Sequence, residues 1–483
     1  MFQHNGPDRT GGRAPLGGDT GLLAPVWAGT GLESALSDEA WVAAMLEAEV
    51  ALARSQAALG VIPADAVGPI TEGAGSVRMD VAELARQSRG AANPVVVLVQ
   101  RLTEAVAAVD PAAAEYVHLG STSQDILDSA AMLLSARVLA RVEDDLARTA
   151  VALASLAREF RDVPMAGRTL AQHAVPTTFG LKAAGWLGSV LDASERVRRT
   201  AESLPAQLGG AAGTLAAYEE YARTTDAAGP GHGLALAARF AGELGLREPR
   251  APWHSLRMPL CDIGWALSAV TGTLGKFALD VQNLSRTEVA EAAEPSAAGR
   301  GVSSAMPQKR NPVLATLIVS AARQLPAHAL VLAQSMLAED ERAPGAWHAE
   351  WQPLREALRL AGGAAHTAAE LAEGLEVFPR QMRRNLELTG GSIVSERLNV
   401  VLAPLLGKAE AKRVLAALSR EAAADGRPFD EVLAKDPELT GKLPDGLTAR
   451  DLLAPERYLG AAEEIVDRVV RRFEESRPWG GRL

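Results

Sequence analysis

Three stretches of this 483-residue chain concentrate side chains able to do chemistry: 118–125 (HLGSTSQD), 167–180 (GRTLAQHAVPTTFG) and 296–312 (SAAGRGVSSAMPQKRNP). All three are dense in small and polar residues, which let backbone approach a ligand closely and carry functional groups on connecting segments. In the third, Gly299, Gly301, Ser303, Ser304 and Ala305 make a flexible run able to close over a ligand. Lys309, Arg310 and Asn311 follow, just before Pro312, a residue suited to the first turn of a helix. Two cations and an amide beside a helix N-terminus suit a carboxylate or phosphate. The same residues also fit a flexible linker with a solvated basic end. In the first stretch Ser121, Thr122, Ser123 and Gln124 lie between Gly120 and Asp125. Hydroxyls before a helix read most simply as capping, with Asp125 serving the helix start and ligand contact as the alternative. His118 reads as a core histidine. His173, close before Pro176, Thr177 and Thr178, is open between a core and an acid–base role.

The motifs that are missing narrow the chemistry. The eight histidines are scattered, with no HExxH and no cysteine partner for a metal site. GxSxG, Walker A and dinucleotide fingerprints are also missing. Acid–base chemistry with neither metal nor cofactor is what remains. A net charge of −10 with scattered basic residues disfavours nucleic acid and anionic membranes as partners. No unbroken apolar run reaches the roughly 18 residues of a membrane helix. Residues 1–20 lack a signal core and read as a disordered, Gly-rich leader, and the lone Cys261 suits a reducing compartment. The expected location is the cytoplasm, and the expected setting of Cys261 is a buried apolar one.

The elements that must position the three stretches read as helices. Hydrophobic residues make up 48% of the chain, aromatic ones only 4%, and Ala and Leu outnumber β-branched alternating runs, which favours an all-α fold. Ser37 is a plausible N-cap for a helix whose apolar face is Trp41, Met45, Ala48, Leu52 and Leu59, stopped by Gly60 and Pro63. Further helices are expected near 80–89 and 94–109. Long ones are expected over 124–160, 177–203, 312–341 and 350–374. The proline-free segment 259–295, with Leu267, Val270, Leu274, Phe277 and Val281 at helical spacing, would span about 50 Å as a helix. Helices this long need partners, so a bundle is expected. The division is 21–111 as an N-terminal helical domain, 112–375 as the long-helix bundle and 376–483 as a small helical domain.

Taken together, the three stretches resemble the three signature regions of the aspartase/fumarase superfamily, in the same order. GVSSAMPQKRNP is similar to its most diagnostic motif, GSSxMPxKxNP. The resemblance covers nearly the whole chain after residue 20. It is closest to the 3-carboxy-cis,cis-muconate cycloisomerase and adenylosuccinate lyase branches, with support from NPVVVLVQRL (93–102), QLGGAAGTLA (207–216) and PWHSLR (252–257). Val302, Gln308, Leu119 and Leu170 depart from those branches. They leave the elimination machinery intact and the substrate open.

The resemblance implies a lyase that removes a proton beside a carboxylate of a 2-substituted succinate and expels the neighbouring substituent, giving fumarate. C–N cleavage is favoured, with nitrite release from nitrosuccinate a credible specialised case. Charge builds up as an aci-carboxylate that prearranged donors must meet. By correspondence the catalytic set is Ser303 as base, His173 as general acid or charge stabiliser, and Lys309 beside the carboxylate that gathers charge. Asn93, Ser121, Thr122, Ser123, Gln207, Arg257, Ser304, Met306 and Asn311 form the implied substrate-binding set, with no metal and no cofactor. The implied assembly is a homotetramer whose sites are shared between subunits, acting on a small dicarboxylate. The rival reading is cycloisomerisation of 3-carboxymuconate, with adenylosuccinate cleavage third. A reading of another class is an inactive, crystallin-like structural relative.

Overall fold

The computed structural model describes residues 19–225, 229, 231–297, 299–301, 306, 309–441, 443 and 448–476. Ser303, Ser304 and most of the expected leader therefore lie outside the described residues. The architecture is helical, with two short antiparallel strand pairs. Two compact units each collect three stretches of chain: Met1–Arg141, Val197–Ser268 and Leu325–Gly363 in the first, Val142–Arg196, Ala269–Gln324 and Ala364–Leu483 in the second.

Helix α1 (Asp38–Ala58) starts where the Ser37 hydroxyl accepts the Ala40 N–H at 3.2 Å, with Asp38 and Glu39 in its first turn. Trp41, Met45, Ala48 and Leu52 are buried on one face. The helix ends at Gly60, whose φ of +77° permits the reversing turn. Helix α2 (Val95–Val109) follows Pro94, and α3 (Ser123–Glu159) runs for 37 residues, about 55 Å. After it the stretch expected as a loop is an antiparallel hairpin, β1 (Pro164–Thr169) and β2 (Gln172–Thr178). Val175, Thr177 and Thr178 suit a strand. A two-residue turn joins the pair, Leu170 at φ +50° and Ala171 at φ +64°. The register slips at Gly167, where a Cβ would meet the Val175 carbonyl at 2.5 Å.

Four long helices follow the expected order: α4 (Phe179–Ser203), α5 (Met258–Leu284), α6 (Val313–Gln334) and α7 (Trp351–Glu373). Leu267, Val270, Leu274, Phe277 and Val281 are all buried, and so is Cys261. Helix α5 is shorter than the expected 259–295 span, at about 40 Å. It stops at Leu284 because the chain reverses there: Ala290 takes φ +49°, and the Glu291 N–H donates back to the Leu284 carbonyl at 2.9 Å. The freed segment supplies β3 (Ala292–Ala293), paired with β4 (Glu376–Val377). By length and composition α6 is apolar enough to cross a membrane, and only a third of it is buried. Past α7, the described residues 386–453 pack shorter helices around Leu398, Leu402, Phe429 and Leu452.

Candidate active site

In the first unit the opening turns of α3 gather the site. Asp125 is fully buried and accepts from the backbone N–H groups of Gly209 (2.9 Å), Gly210 (3.0 Å) and Thr122 (3.2 Å) and from the Tyr218 hydroxyl (3.2 Å). His254 Nε2 lies 2.8 Å from Asp125 Oδ1, the oxygen that the Gly209 N–H also meets. Burial, reinforced by Asp125, raises the Tyr218 phenol far above its ordinary range, so it stays a donor. Asp125 thus does more than serve a helix start. It ties three separate segments to one carboxyl group. Gly120 completes the turn at φ +78°, because a Cβ there would sit 2.9 Å from the Tyr218 ring.

One turn on, Asp128 receives Arg257 bidentately at 2.7 and 3.0 Å and the Trp347 indole N–H at 2.9 Å. Arg257 also grips Glu350 through Nε at 3.3 Å and through a shorter Nη2 contact. Its remaining donors face the Trp253 and His254 carbonyls. Burial raises the Glu350 carboxyl and Arg257 opposes that rise. The guanidinium expected at the substrate pocket is therefore enclosed by protein acceptors. Gln207 is also buried: its Oε1 accepts the Trp253 N–H at 2.9 Å, while its Nε2 has no acceptor among the described residues. Ser121, Thr122 and Ser123 are half-buried at the mouth of this cluster. Asn93 lies just before α2, its Oδ1 accepting the Val95 N–H at 3.0 Å.

In the second unit the hairpin carries His173 opposite Arg168. Arg168 is fixed bidentately on the fully buried Glu291 at 2.9 and 2.7 Å, and the Asn385 amide donates to the same carboxylate at 2.7 Å. Burial, then the charge of Arg168, lowers the His173 pKa, so its imidazole is neutral near pH 7. Its buried Nδ1 has no partner among the described residues. The neck of the 296–312 loop is closed by Asn311, whose N–H (3.0 Å) and side-chain amide (3.3 Å) both donate to the Gly301 carbonyl. Gly301 takes φ +64°, and a Cβ there would lie 2.6 Å from the Asn311 oxygen. Lys309 and Met306 are exposed near that neck. The helix N-terminus expected to take a ligand anion is already capped: Glu294 accepts the N–H groups of Leu314 (3.0 Å) and Ala315 (2.7 Å). Among the described residues no group of three or more His, Cys, Asp or Glu could share a metal ion.

The arrangement offers hydroxyls, amides and cations, which suits proton abstraction next to a carboxylate. The sequence model of the lyase family matches residues 25–326, and that of the adenylosuccinate lyase C-terminus matches 391–469. Over 94% of both chains the sequence is 58% identical to a nitrosuccinate lyase of Streptomyces davaonensis. The chain is a lyase of the aspartase/fumarase superfamily. The lyase is also 40% identical to a 3-carboxy-cis,cis-muconate cycloisomerase of Bradyrhizobium diazoefficiens, over 94% of this chain and 98% of that one. The crystal structure of the 3-carboxy-cis,cis-muconate lactonizing enzyme from Pseudomonas putida superposes with a TM-score of 0.86 at 36% identity, covering 94% of the lyase and 99% of that chain.

Reading the sequence did not single out Asp128, His254, Glu350, Glu291 or Arg342. Arg342 donates to the Gln124 amide oxygen at 3.2 Å and the Ala211 carbonyl at 3.1 Å. One signal was available: Asp125 and Asp128 sit at the head of and within the largely apolar helical run Ile126–Leu134, which is buried all round and where a solvated carboxylate has no place.

Proposed function

We propose that this lyase eliminates nitrite from nitrosuccinate to give fumarate. The observation that carries this reading is the 58% identity to a nitrosuccinate lyase, sustained over 94% of both chains. Ser303 takes the proton from the carbon beside one carboxylate, and the C–N bond breaks with its electron pair leaving on nitrite. Lys309 and Asn311 stabilise the aci-carboxylate, Thr122 and Ser123, with Ser121, hold a substrate carboxylate, and Ser304, Met306, Asn93 and Gln207 complete the pocket. Nitrite is a weak base and leaves without a proton, which agrees with a neutral His173 acting through hydrogen bonding rather than as an acid. We assign Arg257 a positioning role, holding Asp128 and Glu350 beneath the binding segments.

The assembly we propose is a homotetramer with shared sites. The Leu267–Val281 stripe of α5 is buried within the chain, and a second stripe supports the assembly. Met258, Trp265 and Leu279 of α5 are exposed at multiples of seven residues, the spacing of a helix–helix seam. The division at 111 and 375 and a cytoplasmic location complete the reading. Incubation with nitrosuccinate, scoring nitrite by colour and fumarate by ultraviolet absorbance, is the test: one nitrite per fumarate supports it. Loss of the muconate chromophore with 3-carboxymuconate and no nitrite release would instead support the cycloisomerase reading, which the 40% identity to such an enzyme favours second. Inertness toward both would favour a structural relative.

A further inference from the structure

Among the described residues, two arginines reach the first-unit cluster behind Ser121, Thr122 and Ser123, and only one of them is spent. Arg257 is enclosed: Asp128 and Glu350 take its charge, and the Trp253 and His254 carbonyls take its remaining donors. Arg342 is placed differently. It stands on the connection between α6 and α7, and every acceptor it meets among the described residues is neutral. Its Nε donates to the Gln124 amide oxygen at 3.2 Å, and its Nη2 to the Gly210 and Ala211 carbonyls at 3.4 and 3.1 Å. No carboxylate among the described residues pairs with it. Arg342 is half-buried, and its Nη1, which has no partner among the described residues, retains contact with solvent.

The acceptors fix where this free charge lies. Gln124 directly follows Ser123. Gly210 and Thr122 donate to the same oxygen of Asp125, Oδ2, at 3.0 and 3.2 Å, so their two backbones lie side by side. A guanidinium held by Gln124 and Gly210 therefore stands beside the hydroxyls of residues 121–123. Amide and carbonyl oxygens orient it without neutralising it, and a partly desolvated charge gains from meeting an anion. A hydroxyl alone holds a carboxylate less firmly than a guanidinium N–H does. We infer that Arg342 is a substrate-binding residue, the cation that receives the carboxylate assigned to Ser121, Thr122 and Ser123. The inference rests on the proposed lyase reading and narrows its substrate class. The ligand must carry a full negative charge at this end, where a neutral amide is a poor substitute.

Fumarate and fumaramate differ only in whether one end is a carboxylate or an amide, and titration calorimetry on the purified full-length lyase reads both. The wild type is expected to bind fumarate about tenfold tighter than fumaramate. Arg342→Gln is expected to erase that preference, weakening fumarate about tenfold and leaving fumaramate within about twofold. Arg342→Lys keeps the charge without spanning the three acceptors, and is expected to restore most of the fumarate affinity. Equal losses for both ligands in Arg342→Gln would mark a purely structural role and overturn the inference, as would unchanged fumarate binding in that variant. A wild type that binds the two ligands equally overturns it without any variant. The inference and the function it rests on fail separately. A preference lost in Arg342→Gln, with no nitrite released by the wild type, overturns only the nitrosuccinate reading. Nitrite release with an unaltered preference in Arg342→Gln overturns only the Arg342 assignment, and a wild type that binds no fumarate overturns both.

Discussion

At the scale of single residues, one buried carboxyl group organises the first unit. Asp125 meets donors from residues 122, 209, 210, 218 and 254, so removing it leaves several buried donors unmet. Asp125→Ala is expected to cost about 3–5 kcal/mol in urea unfolding and to lower turnover through the displaced 120–123 segment. Asp125→Glu should lose less of both. His118 gives a pH signature. Burial alone would depress its imidazole, and Glu49 at 2.6 Å, with Asp125, outweighs that, so folded His118 holds its proton above the ordinary value of 6.5. Its contribution is fully present below pH 6.5 and is lost as pH rises through the folded value. The stability gap between wild type and His118→Gln should therefore narrow above pH 6.5, and a gap that widened would contradict the assignment. These partners could not be read in advance. Asp128 finds Arg257 and Trp347 129 and 219 residues away, and no spacing rule links such distant positions.

At the scale of elements, what was legible followed from periodicity. Ser37 and the Trp41–Leu52 face set α1, and the apolar repeats set α3, α4 and α7 within two residues and the starts of α5 and α6 within one, while α5 and α6 end short of the expected 295 and 341 at Leu284 and Gln334. Two misjudgements have physical causes. GRTLAQHAVPTT reads as a loop because its turn, Leu170-Ala171, lacks the glycine or asparagine that marks a two-residue hairpin. The end of α5 was misplaced because nothing local stops it. A turn at Ala290 does so while bringing Glu291 to Arg168 and Asn385. The hairpin turn carries strain in two non-glycine residues at positive φ. Replacing Leu170-Ala171 by Asn-Gly is expected to stabilise the fold by about 1 kcal/mol, checked by thermal unfolding. At the loop neck the sign reverses. Gly301→Ala must break the Asn311 contact, and it is expected to reduce turnover at least tenfold while leaving the melting temperature nearly unchanged.

For the whole molecule, the exposed seam of α5 is the feature that one chain does not explain. Half of the Trp265 surface is exposed on a helix whose opposite face is fully buried. If the proposed tetramer shares its sites, Trp265→Glu is expected to shift the lyase to smaller species by light scattering at micromolar concentration and to lower activity with it. A wild-type monomer that is fully active would contradict the assembly. The proposed chemistry turns on Ser303. Single-turnover and steady-state assays of Ser303→Ala with nitrosuccinate, beside calorimetric binding of fumarate, test it most directly. The expected result is retained fumarate binding with turnover reduced by several orders of magnitude. Near-wild-type nitrite release from that variant would contradict the serine-base mechanism.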